Sequence, residues 1–208
     1  MNFFQYISNA NRAASGEKVA LDGEVSGFKR PLAESYPQRI RRIRSLIEYV
    51  PRETADRIVR EGVALIKTIG GKDNHLKISK YLMRVFLGLN TREDFIAYLM
   101  NLGGVSEERA EFIADDQMAK AAERFLVEKW KRQGYKKVRW VHKGAHDPRD
   151  YHLRQWNGTS GKRTGKPNGL NGFVFDIDKP PVINLKTKAR GYPGWLPNCH
   201  CRLEPIKK

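Results

Sequence analysis

The chain has 208 residues, a formal net charge of +16 and only two cysteines. This length suffices for one ordinary domain with appendages or for two small ones, and two cysteines exclude a small disulfide-built scaffold. No stretch approaches the roughly 18 apolar residues of a membrane span and the N-terminus lacks the pattern of a secretory signal, so we expect a protein without membrane contact in a reducing compartment.

The positive charge is concentrated in the C-terminal half. Residues 1–115 carry 18 Lys and Arg against 15 Asp and Glu, whereas residues 116–208 carry 21 against 8. A field of this sign attracts polyanions, and the attraction weakens as salt is added. The charge therefore favours nucleic acid or an acidic protein surface as the partner.

Residues 1–33 mix small and polar residues with isolated apolar ones. This composition predicts an extended arm with few internal contacts, which either is disordered alone or docks on a partner.

Apolar residues recur with helical spacing from Ser35 to Gly134. The pattern predicts a first helix after Ser35, a second helix between Pro51 and Gly70–Gly71, and a third helix over residues 77–89. We assign residues 34–105 to one helical region.

Two further helices carry recognisable N-terminal caps. Thr91 is placed to cap a fourth helix over residues 91–104, and Ser106 is placed to cap the fifth and longest one, which Gly134 ends.

The pattern changes to strands after Gly134. Residues 135–142, 172–178 and 199–205 read as three strands, separated by a Gly-rich basic hairpin and a connection broken by prolines. The predicted fold class is α+β: a helical N-terminal half and a long helix that leads into a small, basic, antiparallel C-terminal sheet.

The strands and turns of this region supply cations for backbone phosphates without reading bases. The predicted DNA-binding residues are Lys136, Lys137, Arg139, Lys143, Lys162, Arg163 and Lys166.

The two cysteines, Cys199 and Cys201, are separated by one histidine. On a strand they point to the same face, where two interpretations stay open: a pair of buried structural thiols, or two ligands of a divalent metal such as zinc. The segment HKGAHDPRDYH supplies four further candidate ligands: His142, His146, Asp147 and His152. The candidate metal set is His152, Cys199, Cys201 and Asp147.

The segment HDPRDYH also has the residue types of a hydrolase site. His146 with Asp147 and His152 could serve acid–base or metal-dependent chemistry, as in a nuclease. The same residues fit a polar turn, and neither a nucleophile nor an acid-rich ligand set accompanies them. We therefore predict a protein that is not an enzyme, with a metal-dependent hydrolase as the alternative.

Four ordered blocks resemble the phage Mu protein F-like family of minor head proteins, also called phage head morphogenesis proteins. IADDQMAK (113–120) is similar to the family's Ala-Arg-Asp-Gln helix motif, with Asp115 in place of the arginine. VRWVHKGAHDPRDYH, GFVFDIDKPPVI and PGWLPNCHCRLEP are similar to its strand-Trp and Asp-x-Arg segment, its Gly-x-x-Phe and Pro-Pro segment, and its terminal Asn-Cys-x-Cys segment. The resemblance covers residues 106–208, which we assign to a Mu F-like head morphogenesis domain.

The resemblance implies a protein made in the host cytoplasm and incorporated in few copies into the virion head, near the portal. Its expected partners are the portal or major capsid protein and packaged double-stranded DNA, and its expected role is in head assembly, genome packaging or ejection. The alternative is a metal-dependent nuclease or another enzyme delivered with the genome.

Overall fold

The computed structural model describes residues 35–142, 149–156, 168–197, 199 and 201–206. Five helices come first in this part of the chain, as predicted: α1 (Tyr36–Ile47), α2 (Arg52–Val63), α3 (Lys72–Phe86), α4 (Arg92–Gly103) and α5 (Glu107–Arg132). Strand β1 (Lys137–Val141), the short helix α6 (Asp150–Leu153), β2 (Val174–Asp176) and β3 (Arg202–Pro205) follow. The α+β fold class and its helical N-terminal half are confirmed. The predicted arm, residues 1–33, lies outside the described residues.

Local sequence signals explain several helix ends. The Thr91 side chain accepts a hydrogen bond from the Asp94 amide at the start of α4, and Ser106 accepts one from Arg109 at the start of α5. Gly104 ends α4 with a φ of 59°, a left-handed conformation that glycine adopts without strain.

Two predicted boundaries differ from the structure. The second helix ends at Val63 rather than at Gly70–Gly71, and the third begins at Lys72, five residues before the predicted start. Gly71, with a φ of 94°, precedes α3 instead of closing α2. The intervening turn is held by the ring of His75, whose Nε2 lies 2.7 Å from the Ile69 carbonyl oxygen.

The helices and the sheet have separate hydrophobic clusters that meet along α5. Buried residues of α1 to α4 pack against Ala110 to Phe125 of α5, whereas Val127 of the same helix belongs to the cluster beneath the sheet. The long helix is thus shared by both clusters. Among the described residues, no helix combines the length and apolarity needed to cross a membrane.

The described sheet is antiparallel, and β1 lies in its centre with the strand order β2-β1-β3. Val138 and Trp140 face the core, where they pair in register with Phe175 and Leu203 respectively. At its end, β1 pairs Val141 with Arg202. This register brings the residues that follow β1 beside those that precede β3.

Candidate metal centre

The cluster that the structure assembles lies where β1, α6 and the start of β3 meet. His152 is on α6, Cys199 and Cys201 immediately precede β3, and His142 directly follows β1. The prediction placed both cysteines on a strand, but β3 begins only at Arg202. Their sulfur atoms nevertheless approach the same imidazole.

Three sulfur–nitrogen contacts define the cluster. His152 Nδ1 lies 3.6 Å from Cys199 Sγ and 3.9 Å from Cys201 Sγ. His142 Nδ1 lies 3.6 Å from Cys201 Sγ. The potential ligand atoms of His152, Cys199 and Cys201 all lie within 4.8 Å of one another.

The orientation of the His152 ring is fixed from its other nitrogen. Its Nε2 lies 3.0 Å from the carbonyl oxygen of Ile183, which can only accept a hydrogen bond. In the neutral ring Nε2 therefore carries the hydrogen, and Nδ1 presents its lone pair to the two sulfurs. The ring is buried and packs edge-on against Trp140, with ring centroids 5.2 Å apart.

The pKa values of the two cysteine thiols are shifted in opposite directions. A hydrogen bond from Cys201 is the main cause that lowers the pKa of Cys199 to about 4, against the opposing effect of burial. The pKa of Cys201 is raised because it donates to Cys199 and is itself buried. The hydrogen bond between the two cysteines therefore favours a thiolate at Cys199 and a thiol at Cys201.

Two neighbouring groups also shape the cluster. The buried indole Nε1 of Trp140 has no hydrogen-bond partner in the part of the chain that the structure describes, and the nearby indole opposes the rise in the pKa of Cys201. Burial lowers the pKa of His142, although the nearby Cys199 acts to raise it. The lowered pKa favours the neutral ring, which is the form that binds metals.

The outcome for the predicted metal set is mixed. The structure brings together His152, Cys199 and Cys201, whereas Asp147 lies outside the described residues, as does His146. His142 is among the further ligands that the sequence offered, but it was left out of the candidate metal set. The signal that could have found it is the pairing of β1 with the last strand, which puts His142 opposite Cys201.

Three of the predicted DNA-binding residues can be located. Lys136, Lys137 and Arg139 are exposed, in and beside β1. The other four, Lys143, Lys162, Arg163 and Lys166, lie outside the described residues.

Acidic residues accompany the cations on the exposed face of the sheet. Lys137 lies directly opposite Asp176 on β2, and Arg139 lies opposite Glu204 on β3. Residues in such positions share one face of an antiparallel pair, so part of the positive field is offset there.

The connection between β2 and β3 has a different charge pattern. After Asp178, residues 179–201 of this connection contain four Lys or Arg and no Asp or Glu. Lys186 and Lys188 are exposed in a turn in which Asn184 Oδ1 accepts from the Lys186 amide at 2.9 Å. This turn is a cationic surface that sequence reasoning did not single out.

Comparisons with protein families, with curated proteins and with solved structures found no match for this chain.

Proposed function

We propose that this chain is a phage minor head protein, present in few copies inside the virion head near the portal. In this proposal it binds packaged double-stranded DNA without sequence preference, contacts the portal or the major capsid protein, and aids head assembly, genome packaging or ejection. The proposal takes up the resemblance of four sequence blocks to the phage Mu protein F-like family.

The observation that carries the proposal is the convergence of those four blocks in space. Gly194, in the last block, lies so close to α5 that an added Cβ would be 3.1 Å from the Ala119 carbonyl oxygen in the first block. Arg149, in the second block, donates to the carbonyl oxygen of Pro197 at 2.9 Å. Its charge also opposes the rise that burial causes in the pKa of Asp116 in α5.

The third block joins the same assembly. Ile183 accepts the hydrogen bond from His152, and the hydroxyl of Tyr192 donates to the Ile177 carbonyl oxygen at 2.7 Å. Segments that resemble one family in order along the chain thus also form one structural unit, as expected if they were retained together for a common fold.

The charge distribution supports a DNA-facing role for this unit. Residues 116–208 carry 21 Lys and Arg against 8 Asp and Glu, and the exposed turn around Lys186 and Lys188 has no acidic residue near it in sequence. Contacts to backbone phosphates need only such cations, because they carry no sequence information.

The proposed role is non-catalytic. A nuclease that used His152 as its base would need a ring nitrogen directed at substrate or water. In this protein one ring nitrogen faces two sulfurs and the other donates to the Ile183 carbonyl.

Quantitative mass spectrometry of purified virions tests the proposal. Virions and DNA-free heads from the same lysate are separated on a density gradient, and the chain is counted relative to the portal protein as internal standard. We expect copies in the range of the portal and far below the major capsid protein. Absence from both particles, or an abundance equal to that of the major capsid protein, would refute the proposal.

A further inference from the structure

We propose that His142, His152, Cys199 and Cys201 bind one zinc ion, and that His142 is its fourth ligand. In this site zinc ties the residues that precede the last strand to the central strand and to α6. The inference rests on the geometry of these side chains alone and does not depend on the proposed function.

The spacing of the ligand atoms fits tetrahedral zinc. Bonds of about 2.3 Å to sulfur and about 2.0 Å to nitrogen, at tetrahedral angles, place sulfur and nitrogen about 3.5 Å apart. The three sulfur–nitrogen contacts of the cluster measure 3.6, 3.6 and 3.9 Å. His152, Cys199 and Cys201 can therefore hold one ion with small side-chain adjustments. His142 lies outside the group whose ligand atoms are all within 4.8 Å of one another, so its side chain must move closer to complete the shell.

Hydrogen bonds alone satisfy this cluster poorly. The single lone pair of His152 Nδ1 faces two sulfurs, and Cys201 faces the Nδ1 atoms of two imidazoles. A thiol has only one hydrogen to donate, so Cys201 cannot serve both rings. One shared cation satisfies all four donor atoms at once.

The surroundings resemble the outer shell of a zinc site. A metal-bound histidine ordinarily donates its other N–H to a carbonyl or carboxylate, as His152 does to Ile183. His142 is held through its backbone, whose amide donates to Asn171 Oδ1 at 3.1 Å. Trp140, whose buried Nε1 has no partner among the described residues, belongs to the same buried cluster as Cys201.

The type and number of the ligands indicate both which metal binds and what role it has. Two sulfurs and two imidazoles suit zinc, whereas magnesium and calcium prefer oxygen ligands. Four protein ligands fill a tetrahedral shell and leave no position for substrate or water, which is typical of structural sites. Cys201 and His152 are buried, so the ion would sit within the fold.

Metal stoichiometry of the full chain tests the site. The protein is purified without a histidine tag under reducing conditions, and its zinc is measured by inductively coupled plasma mass spectrometry. We expect one zinc per chain. Replacement by cobalt should give the d–d absorption of tetrahedral coordination together with thiolate charge-transfer bands. Zinc-free preparations that do not take up zinc or cobalt would overturn the proposal.

The variant His142→Asn tests the fourth ligand. Removing an outer-shell partner costs roughly 10–100-fold in metal affinity, and we expect loss of a direct ligand to cost more than about 100-fold. The half-buried position of His142 makes this variant less disruptive than changes at His152 or Cys201. Unchanged zinc affinity in His142→Asn would overturn its assignment as a ligand.

Cys199→Ser and His75→Asn complete the design. Cys199→Ser should lose stoichiometric zinc, and one of the two thiolate contributions should disappear from the cobalt spectrum.

His75→Asn is the matched control: it removes a half-buried histidine that contacts the Ile66 and Ile69 carbonyls and lies outside the cluster. It should lower the melting temperature but retain one zinc per chain. Loss of zinc from His75→Asn as well would mean that metal retention reports only general stability and would overturn the assignment.

Discussion

Gly194 lies directly against the backbone of Ala119 in α5. A Cβ built on this glycine would be 3.1 Å from the Ala119 carbonyl oxygen and 3.3 Å from its carbonyl carbon. The backbone φ of Gly194 is 78°, in the left-handed region. Glycine is therefore needed here for two separate reasons, its conformation and its lack of a side chain, and the contact joins the segment before the cysteines to the long helix.

We predict that Gly194→Ala destabilises the protein by roughly 2–4 kcal/mol, because left-handed strain adds to a collision with backbone atoms. Gly104→Ala is the matched control: its φ is 59°, and nothing lies within 4 Å of the added Cβ. It should cost about 1 kcal/mol from conformation alone. Urea unfolding of both variants measures the difference, and equal losses would contradict the close contact.

Arg124 of α5 contacts two aromatic rings of the C-terminal segment. Its guanidinium carbon lies 5.4 Å from the centre of the Tyr192 ring and 5.3 Å from that of Trp195. The same guanidinium pairs with Glu61 of α2 at 3.1 Å. One side chain thus connects the helices to the loop that leads to the cysteines.

We expect Arg124→Met to lower the free energy of unfolding by about 2 kcal/mol, because two partly desolvated cation–π contacts and an ion pair are lost together. Lys129→Met removes a single cation from above the exposed ring of Tyr49 and should cost about 0.5 kcal/mol. Amide hydrogen exchange should rise around Tyr192 only in the first variant. Unchanged exchange there would argue against the connecting role of Arg124.

Arg92 and Asp115 form a two-bond ion pair between α4 and α5. Arg92 Nε and Nη2 donate to the two carboxylate oxygens, each at 3.1 Å. The Arg92 side chain is only 15% exposed, against 64% for Arg52 in the surface pair with Asp56. We therefore expect the less exposed pair, Arg92 with Asp115, to contribute more to the free energy of unfolding than the pair of Arg52 with Asp56.

We predict that Arg92→Lys costs about 1 kcal/mol, because lysine cannot make both hydrogen bonds in one plane. Arg52→Lys, which changes an exposed pair within one helix, should cost less than about 0.5 kcal/mol. Thermal unfolding at low and moderate salt separates the two. A larger loss at Arg52 would contradict the ranking by burial.

Local signals sufficed to predict the last two helices of the N-terminal half, whereas tertiary contacts decided the earlier boundaries. Thr91 and Ser106 cap α4 and α5 through bonds within their own first turns, so the sequence alone carries that information. The end of α2 could not be predicted in the same way. His75 of α3 reaches back to the Ile66 and Ile69 carbonyls and holds a turn where the apolar period suggests a continuing helix.

The same difference between local sequence signals and tertiary contacts applies to the candidate site. His152, Cys199 and Cys201 could be selected because their residue types suggest metal binding wherever they lie. His142 has the same chemistry, but its selection depends on the pairing of β1 with β3 and on the register of Val141 with Arg202. Strand order and register arise from packing across the sheet, which one sequence does not specify.

Two cationic surfaces of the protein should differ in how much they contribute to DNA binding and to its salt dependence. Lys137 and Arg139 face Asp176 and Glu204 across the sheet, whereas Lys186 and Lys188 lie in a segment without acidic residues. We therefore expect Lys186→Gln with Lys188→Gln to weaken binding to duplex DNA more than Lys137→Gln with Arg139→Gln does. Both double variants remove two positive charges, so net charge is matched.

Fluorescence anisotropy with a labelled duplex over a range of salt concentrations makes the measurement. If both turn lysines contact phosphates, the slope of log affinity against log salt should fall in magnitude by up to about 2, because each phosphate contact contributes about 0.9. The sheet variant should change the slope less, since its cations already face carboxylates. A larger loss in the sheet variant would place the DNA contact on β1, and an unchanged slope in both would leave an acidic protein surface as the partner of this charge.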